Sequence, residues 1–246
     1  NDYNLSQGGA QRLVLDLHNG CLNSGFSSKL FGLSKDPNHC IREAVSLKYN
    51  SPYSLIVFFK MWKYFKNEVT AGDVIHVHLF PAIFLVSILR FLRLIPDCKF
   101  ILTEHNTNNN RRNSIFGKII DYFTYKSYYK IIAISNGVSD ALLKWRPMLE
   151  KKIQIINNGA QLFYDNFQEK NIDQTQIILS VGRLHPQKNY QVAINAISKI
   201  KDLNFEYWIA GIGELESDLK LQVKNMGLQK RVKFLGYIDD IPSLLK

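Results

Sequence analysis

The chain has 246 residues, 46% of them hydrophobic and 21% charged, with 31 basic against 21 acidic residues for a formal charge of +10. These figures describe a globular chain of one large domain or two small ones, and they exclude a disordered, collagen-like or coiled-coil protein. The longest apolar runs, such as Phe80–Leu89, are too short to span a bilayer. The polar start Asn1–Gln7 does not read as a secretory signal. Cys21, Cys40 and Cys98 form no Cys-x-x-Cys pair, and their odd number suits a reducing compartment better than a disulfide framework. The positive charge admits three partner classes: nucleic acid, an anionic membrane surface or a phosphorylated small molecule.

In chain order, Gly8-Gly9-Ala10 leads into an apolar helical pattern through Leu13, Val14, Leu17, Cys21 and Leu22. Short apolar runs then alternate with longer amphipathic stretches. Strands are expected at Lys29–Leu33, Val45–Leu47, Val74–Val77, Phe100–Thr103, Ile131–Ile134 and Ile153–Ile156. Helices are expected at Tyr53–Asn67, Ala82–Leu92, Ile115–Tyr128 and Asn136–Trp145. Such alternation implies βα units and a mainly parallel sheet. Gln161–Gln176 is polar and weakly periodic, as a linker is. The rhythm restarts with strand Ile177–Val181, helix Tyr190–Ile200, strand Phe205–Ala210, helix Leu215–Met226, strand Val232–Leu235 and a last helix beginning in Asp240–Lys246. The expected organisation is therefore two α/β domains, 1–165 and 166–246, the second incomplete with three strands, in a chain cut at both ends.

The sharpest chemical signal is Val181-Gly182-Arg183-Leu184-His185-Pro186-Gln187-Lys188-Asn189, where a strand ends and a helix begins. Open α/β sheets bind ligands at that end of their strands. Gly182 allows a sharp turn, and Arg183 and Lys188 set two cations beside a helix N-terminus that already favours anions. Arginine can grip phosphate oxygens bidentately and lysine acts as a point charge, so the segment reads as a diphosphate site; the competing reading is a solvated basic loop. It is not a P-loop, because Gln187 and Asn189 stand where a glycine and a hydroxyl are needed.

Weaker signals accompany it. Gly211-Ile212-Gly213 is a Gly-x-Gly turn between strand and helix, but Glu216 replaces the third glycine of a dinucleotide fingerprint; a ligand-approaching loop and a plain tight turn both remain open. Asn158-Gly159 is a turn former or a wall of a cleft. His105 follows the strand Phe100–Thr103, with Glu104 pointing the opposite way along the chain. His76 and His78 share a face with no third metal ligand in view. Gly8-Gly9 at a helix start is a possible anion loop or a simple N-terminal turn. Two basic-aromatic stretches, Phe58–Lys66 and Arg111–Lys130, suit either an anionic membrane interface or core helices with solvated basic faces.

Taken together, Ile178–Lys188 (ILSVGRLHPQK), Asn189, Ala210–Leu215 (AGIGEL), Arg231–Tyr237 (RVKFLGY) and Asp239-Asp240-Ile241-Pro242 resemble glycosyltransferase family 4, the retaining transferases of GT-B fold. The first half agrees in order through Gly8-Gly9-Ala10-Gln11-Arg12, Asp73–His78, Glu104-His105, Ile134–Asp140 and Asn158-Gly159. The resemblance implies two Rossmann-like parallel-sheet domains, the N-terminal one on the acceptor side. It implies transfer of a sugar, with retention, from a nucleotide diphosphate sugar to a glycan or lipid-linked glycan in surface polysaccharide or lipopolysaccharide synthesis, with UDP- a commoner donor than GDP-. It places Arg183 and Lys188 on the donor diphosphate, Gly8 and Gly9 near it, His105 by the donor sugar as the catalytic candidate, and Gly182, Gly211, Gly213, Phe234, Leu235, Gly236 and Tyr237 around the nucleotide. It implies no metal and no other cofactor, since cations and helix dipoles act on the leaving diphosphate. It also implies a cytoplasmic enzyme, peripheral on the inner face of the plasma membrane.

Two departures from the family pattern accompany the match. The first strand, before the Gly-Gly loop, is missing, and the Glu-x7-Glu element falls beyond Lys246, so the 246 residues alone are expected to be inactive. Two other classes compete. A nicotinamide-dependent oxidoreductase lacks its full glycine fingerprint, and a non-catalytic membrane- or nucleic-acid-binding protein leaves the Arg183–Lys188 turn without a purpose.

Overall fold

The structure is a computed structural model and describes residues 9–34, 44–49, 53–159, 175–200, 203–238 and 240–245. The chain divides into two compact units, Asn1–Ala160 and Gln161–Lys246.

The first unit holds α1 (Gly9–Asn23), β1 (Leu30–Ser34), β2 (Ala44–Tyr49), α2 (Leu55–Glu68), β3 (Val74–His78), α3 (Ala82–Phe91), β4 (Lys99–Glu104), α4 (Ile115–Lys126), β5 (Lys130–Ala133), α5 (Asn136–Trp145) and β6 (Ile153–Ile155). Serines start three of the helices by accepting a backbone N–H that the helix itself leaves unpaired. Ser54 takes that of Ile56 at 3.3 Å, Ser114 that of Gly117 at 3.0 Å and Ser135 that of Val138 at 3.3 Å. Helix α2 buries Val57, Met61 and Phe65, the i, i+4, i+8 row expected of a helix with one face on the core.

Strands β3, β4, β5 and β6 form one parallel ladder in chain order. The expected single sheet is nevertheless interrupted. β1 and β2 pair only with each other, and among the described residues no ladder joins them to β3. A cavity of about 790 Å³ lies along the outer edges of β1 and β3, with Val14, Leu33, Met61 and Val77 among its lining. Side chains rather than backbone bonds tie β1 to the rest: Phe31 stacks on Tyr64 at 4.7 Å and meets Phe65 edge-on at 5.3 Å.

The second unit holds β7 (Gln176–Val181), α6 (Tyr190–Lys199), β8 (Phe205–Ala210), α7 (Glu216–Asn225), β9 (Val232–Gly236) and a short α8 (Ile241–Leu244). The three strands are parallel in the order β7-β8-β9. Ile194 and Ile197 of α6 and Leu219 and Val223 of α7 pack on Tyr207 and Ile209, so both helices cover one face of the sheet. The alternation of a strand puts Ile177, Val181 and Trp208 on the other.

Candidate functional site

In the second unit the candidate residues gather at the carboxyl end of the sheet, and the glycines explain how. A Cβ on Gly211 would lie 2.0 Å from the Gly182 carbonyl oxygen, and one on Gly213 would lie 2.4 Å from that of Leu184. Only glycine admits this approach. It lets the ladder run on beyond the strands: Gly182 N–H donates to Ala210 O (2.9 Å), Leu184 N–H to Ile212 O (3.0 Å), and Gly211 N–H to Gly236 O (2.7 Å). The Gly-x-Gly turn thus welds two loops into one rim.

On that rim Arg183 and Lys188 are both exposed, and among the described residues neither makes an ion pair. The Lys188 stem runs beside Gly182, with Cε 3.7 Å from where a Cβ would stand. The Tyr190 hydroxyl, at the first turn of α6, donates to Gly182 O at 2.9 Å and pins the turn to that helix. His185 Nδ1 accepts the Gln187 N–H at 3.3 Å, while its Nε2 lies 3.7 Å from a Glu214 carboxylate oxygen. The result is a loop that carries two exposed cations and leads into a helix N-terminus, a combination that suits phosphate oxygens. Sequence alone did not single out Tyr190 or Glu214. Of the residues expected around a nucleotide, Tyr237 is half exposed. Leu235 is half-buried, Gly236 accepts from Gly211, and Phe234 packs against the core with Lys220 5.7 Å from its ring.

In the first unit three imidazoles converge. β3 and β4 pair in parallel with His78 opposite Thr103, which brings His105, two residues further on, alongside His78. His78 Nδ1 lies 3.1 Å from His105 Nε2, His76 Nε2 lies 2.7 Å from the Thr103 hydroxyl, and the His76 and His78 rings are 4.2 Å apart. Burial, with help from the neighbouring imidazoles, holds His76 at about 4 and His78 at about 2, and burial holds His105 at about 4. All three are neutral at pH 7, each with one donor and one acceptor nitrogen. Leu79, next to His78, sits in the left-handed region at φ 61, a conformation that costs a non-glycine residue about 1–2 kcal/mol. No group of three or more His, Cys, Asp or Glu among the described residues is arranged to hold a metal ion.

Glu104 does turn away from the His105 ring, as its strand position requires. Its buried carboxylate accepts the backbone N–H groups of His105 and Asn106, both at 3.1 Å, and the Tyr125 hydroxyl, and lies 3.7 Å from Arg112. Asp121, also buried, takes Arg111 Nε at 3.2 Å and Arg112 Nε at 3.3 Å. Arg111 and Arg112, placed at the surface by both readings of the Arg111–Lys130 stretch, as a membrane interface or as a solvated basic face, are instead half-buried and pair with two buried carboxylates. Gly9 is exposed at the start of α1 with open space around it; Gly8 lies outside the described residues. Asn158 and Gly159 are exposed beyond β6.

Comparison with known proteins is consistent across both units. A family described as Glycosyltransferase Family 4 matches residues 7–162, and one described as Glycosyl transferases group 1 matches residues 164–246. The chain is 28% identical over 210 residues to the UDP-Gal:alpha-D-GlcNAc-diphosphoundecaprenol alpha-1,3-galactosyltransferase of Escherichia coli, covering 78% of this chain and 53% of that protein. It is 29% identical over 132 residues to the N-acetylgalactosamine-N,N'-diacetylbacillosaminyl-diphospho-undecaprenol 4-alpha-N-acetylgalactosaminyltransferase of Campylobacter jejuni, covering 52% of this chain and 35% of that one. The chain thus spans about half the length, or less, of these curated relatives. The solved structure of Anabaena HepE with UDP-glucose aligns at TM-score 0.76 and 20% identity, over 97% of this chain and 68% of that one. That likeness places the fold in the GT-B class, with two Rossmann-like parallel-sheet parts.

Proposed function

The chain belongs to glycosyltransferase family 4, and on that premise we propose that the protein transfers a sugar, with retention, from a UDP-sugar to a lipid-linked glycan in surface polysaccharide synthesis. The observation that carries the reading is the rim of the second unit, where Arg183 and Lys188 are exposed on the loop leading into α6 and, among the described residues, neither is paired with a carboxylate. A diphosphate leaving group gathers negative charge as the glycosidic bond breaks. Fixed cations and helix N–H groups that meet this charge lower the barrier without moving at the moment of reaction. UDP is the proposed nucleotide because it appears in the name of the E. coli relative and in the HepE complex. The acceptor class is proposed from the diphosphoundecaprenol named in both curated relatives.

In this reading the Phe234–Tyr237 segment serves the base in the second unit, and in the first unit His105 offers the sugar a neutral imidazole and Gly9 an open helix start for an anion. The cations and the helix N-terminus do the charge work that a metal would otherwise do. The enzyme acts peripherally at the cytoplasmic face of the membrane, where lipid-linked acceptors present their glycans.

The test is Arg183→Ala in the enzyme, with sugar transfer and UDP binding measured separately. Transfer is expected to fall about 10²–10³-fold in kcat/KM, with weaker UDP binding. Unchanged transfer and unchanged UDP binding would remove the assignment.

A further inference from the structure

Helix α4 is built inside out. Its buried positions are Gly117, Asp121, Thr124 and Tyr125, whereas Ile115, Phe116, Ile119 and Phe123 are exposed, the first two at 78% and 79%. At 100° per residue these four fall within an arc of about 100°, so the apolar stripe of the helix faces outward and its polar side faces the core. A helix that needed only to seal this core would be turned the other way.

The same pattern continues on its neighbours. α3 packs against α4, and right-handed βαβ crossovers put both on one face of the sheet. On its side away from the core Phe84 and Ile88 are half-buried and Phe91 is exposed, an apolar row, and Leu92 just beyond is exposed. Beyond the end of α3, Trp62 of α2 donates its indole N–H to Leu94 O at 3.1 Å, which ties α2 to the segment after α3. On α2 itself Leu55, Ile56 and Phe59 are exposed. Tyr53, before α2, meets Phe80 at 6.3 Å, and Arg111, before α4, meets the same ring at 3.8 Å, so the segments leading into the three helices converge on Phe80, just before α3. No helix among the described residues is long and apolar enough to cross a membrane.

The charge around this face is mostly positive, the exposed acid of these three helices being Glu68 at the end of α2, which pairs with Lys29 at 2.6 Å. Lys63, Lys66, Arg93, Lys118 and Lys126 are exposed on or beside it. The segments 55–67 and 82–94 contain no aspartate or glutamate, and the only one in 114–130 is Asp121, which is buried between Arg111 and Arg112.

We propose that the outward face of α2, α3 and α4 is a docking surface for an anionic lipid bilayer, with the aromatic and aliphatic side chains entering the interface and the lysines reaching the headgroups. Apolar area plus lysines in contact with anionic lipid is the physical basis of interfacial binding. A second copy of the chain fits less well, since pairing this face with itself would bring its lysines against one another. The proposal supplies the place where the lipid-linked acceptor of the proposed reaction is met, and it rests on that reading only for its purpose.

The experiment is co-sedimentation of the protein with vesicles of phosphatidylcholine alone and of phosphatidylcholine with 30 mol% phosphatidylglycerol. Phe116→Ser/Ile119→Ser and Lys118→Glu/Lys126→Glu variants are compared, all four positions being exposed, and circular dichroism confirms that each folds. Binding is expected on the anionic vesicles, weakened by salt, little on the neutral ones, and reduced at least about tenfold by either variant. Absent binding, equal binding to both vesicles, or variants that bind as well as the parent would overturn it. So would sedimentation equilibrium showing a dimer that the serine variant dissolves, because the face would then belong to a protein partner. Transfer to a short-chain, water-soluble acceptor reads the catalytic proposal separately and should survive in both variants.

Discussion

His78 Nδ1 and His105 Nε2 lie 3.1 Å apart, at the ends of two parallel neighbouring strands. Between two neutral imidazoles one nitrogen must donate and the other accept, so the tautomers of His78 and His105 are coupled and the contact holds the His105 ring in place. Replacing His78 with leucine removes that constraint and leaves the ring of His105 free to turn. The expected outcome is a fall of about tenfold or more in kcat with little change in donor KM, partly restored by His78→Gln, which can still hydrogen bond. Steady-state kinetics on the two variants check this, and equal kcat in parent and leucine variant would leave the contact structural.

The lowered histidines also link stability to pH. An unfolded histidine protonates near 6.5, whereas His76 and His105 wait until about 4 and His78 until about 2. Between pH 6.5 and 4 the unfolded chain therefore binds more protons than the folded one, and stability rises with pH across that window. Urea midpoints are expected to fall as pH drops from 7 towards 4, and His105→Gln should flatten the slope. The same shift keeps His105 neutral at pH 5, so transfer should persist there, provided the enzyme stays folded.

Asp121 sits between Arg111 and Arg112 with almost no exposed surface. Asp121→Asn keeps the shape but removes the charge that the two guanidinium groups face. Breaking a buried pair in this way costs about 3–5 kcal/mol, with Arg111, the more exposed partner, contributing less. A thermal melt of the variant is the measurement; a loss below about 1 kcal/mol would mean that water reaches these arginines.

Arg183 and Lys188 are not equivalent in the proposed role. A planar guanidinium can take two phosphate oxygens at once, and an ammonium cannot. Arg183→Lys is therefore expected to recover only a small part of the UDP affinity lost in Arg183→Ala, while Lys188→Arg should be tolerated better. Calorimetric titration with UDP on the three variants distinguishes the cases.

Much of this was legible in the residues, for local reasons. Helix α5 begins and ends where its pattern says, at Asn136 and Trp145, because Ser135 caps it and Pro147 stops its continuation. Helix α2 starts two residues later than its apolar pattern, at Leu55, because Ser54 takes the cap. The Arg183–Lys188 turn stood out because strand, glycine, cations and helix start are contiguous. What stayed hidden depends on neighbours in space. Asp121 is nine and ten residues from the arginines it holds, so Arg111 and Arg112 looked like surface. His105 was located at a strand end, but its bond to His78 follows only once β3 and β4 are known to be adjacent, parallel and in register. The break between β2-β1 and β3 is a matter of strand order, which periodicity does not encode. The outward apolar stripe of α4 has an ordinary helical period; only its burial reveals that it faces the wrong way for a core.

The rim in the second unit depends on Gly211 more than on either cation. Its Cβ position lies 2.0 Å from the Gly182 carbonyl oxygen, and both atoms belong to backbone tied by the ladder that runs on through the loops. No side-chain rotation can relieve the contact, so Gly211→Ala must push the two loops apart. The overpacking is expected to cost about 1–3 kcal/mol, added to the strain of alanine at φ 148. The displaced Gly182 would carry Arg183 with it, so UDP affinity should fall even at temperatures where the variant is folded. Urea denaturation followed by UDP titration at low temperature separates the two effects. If stability falls while UDP binds as before, the loop contact supports the fold and not the site.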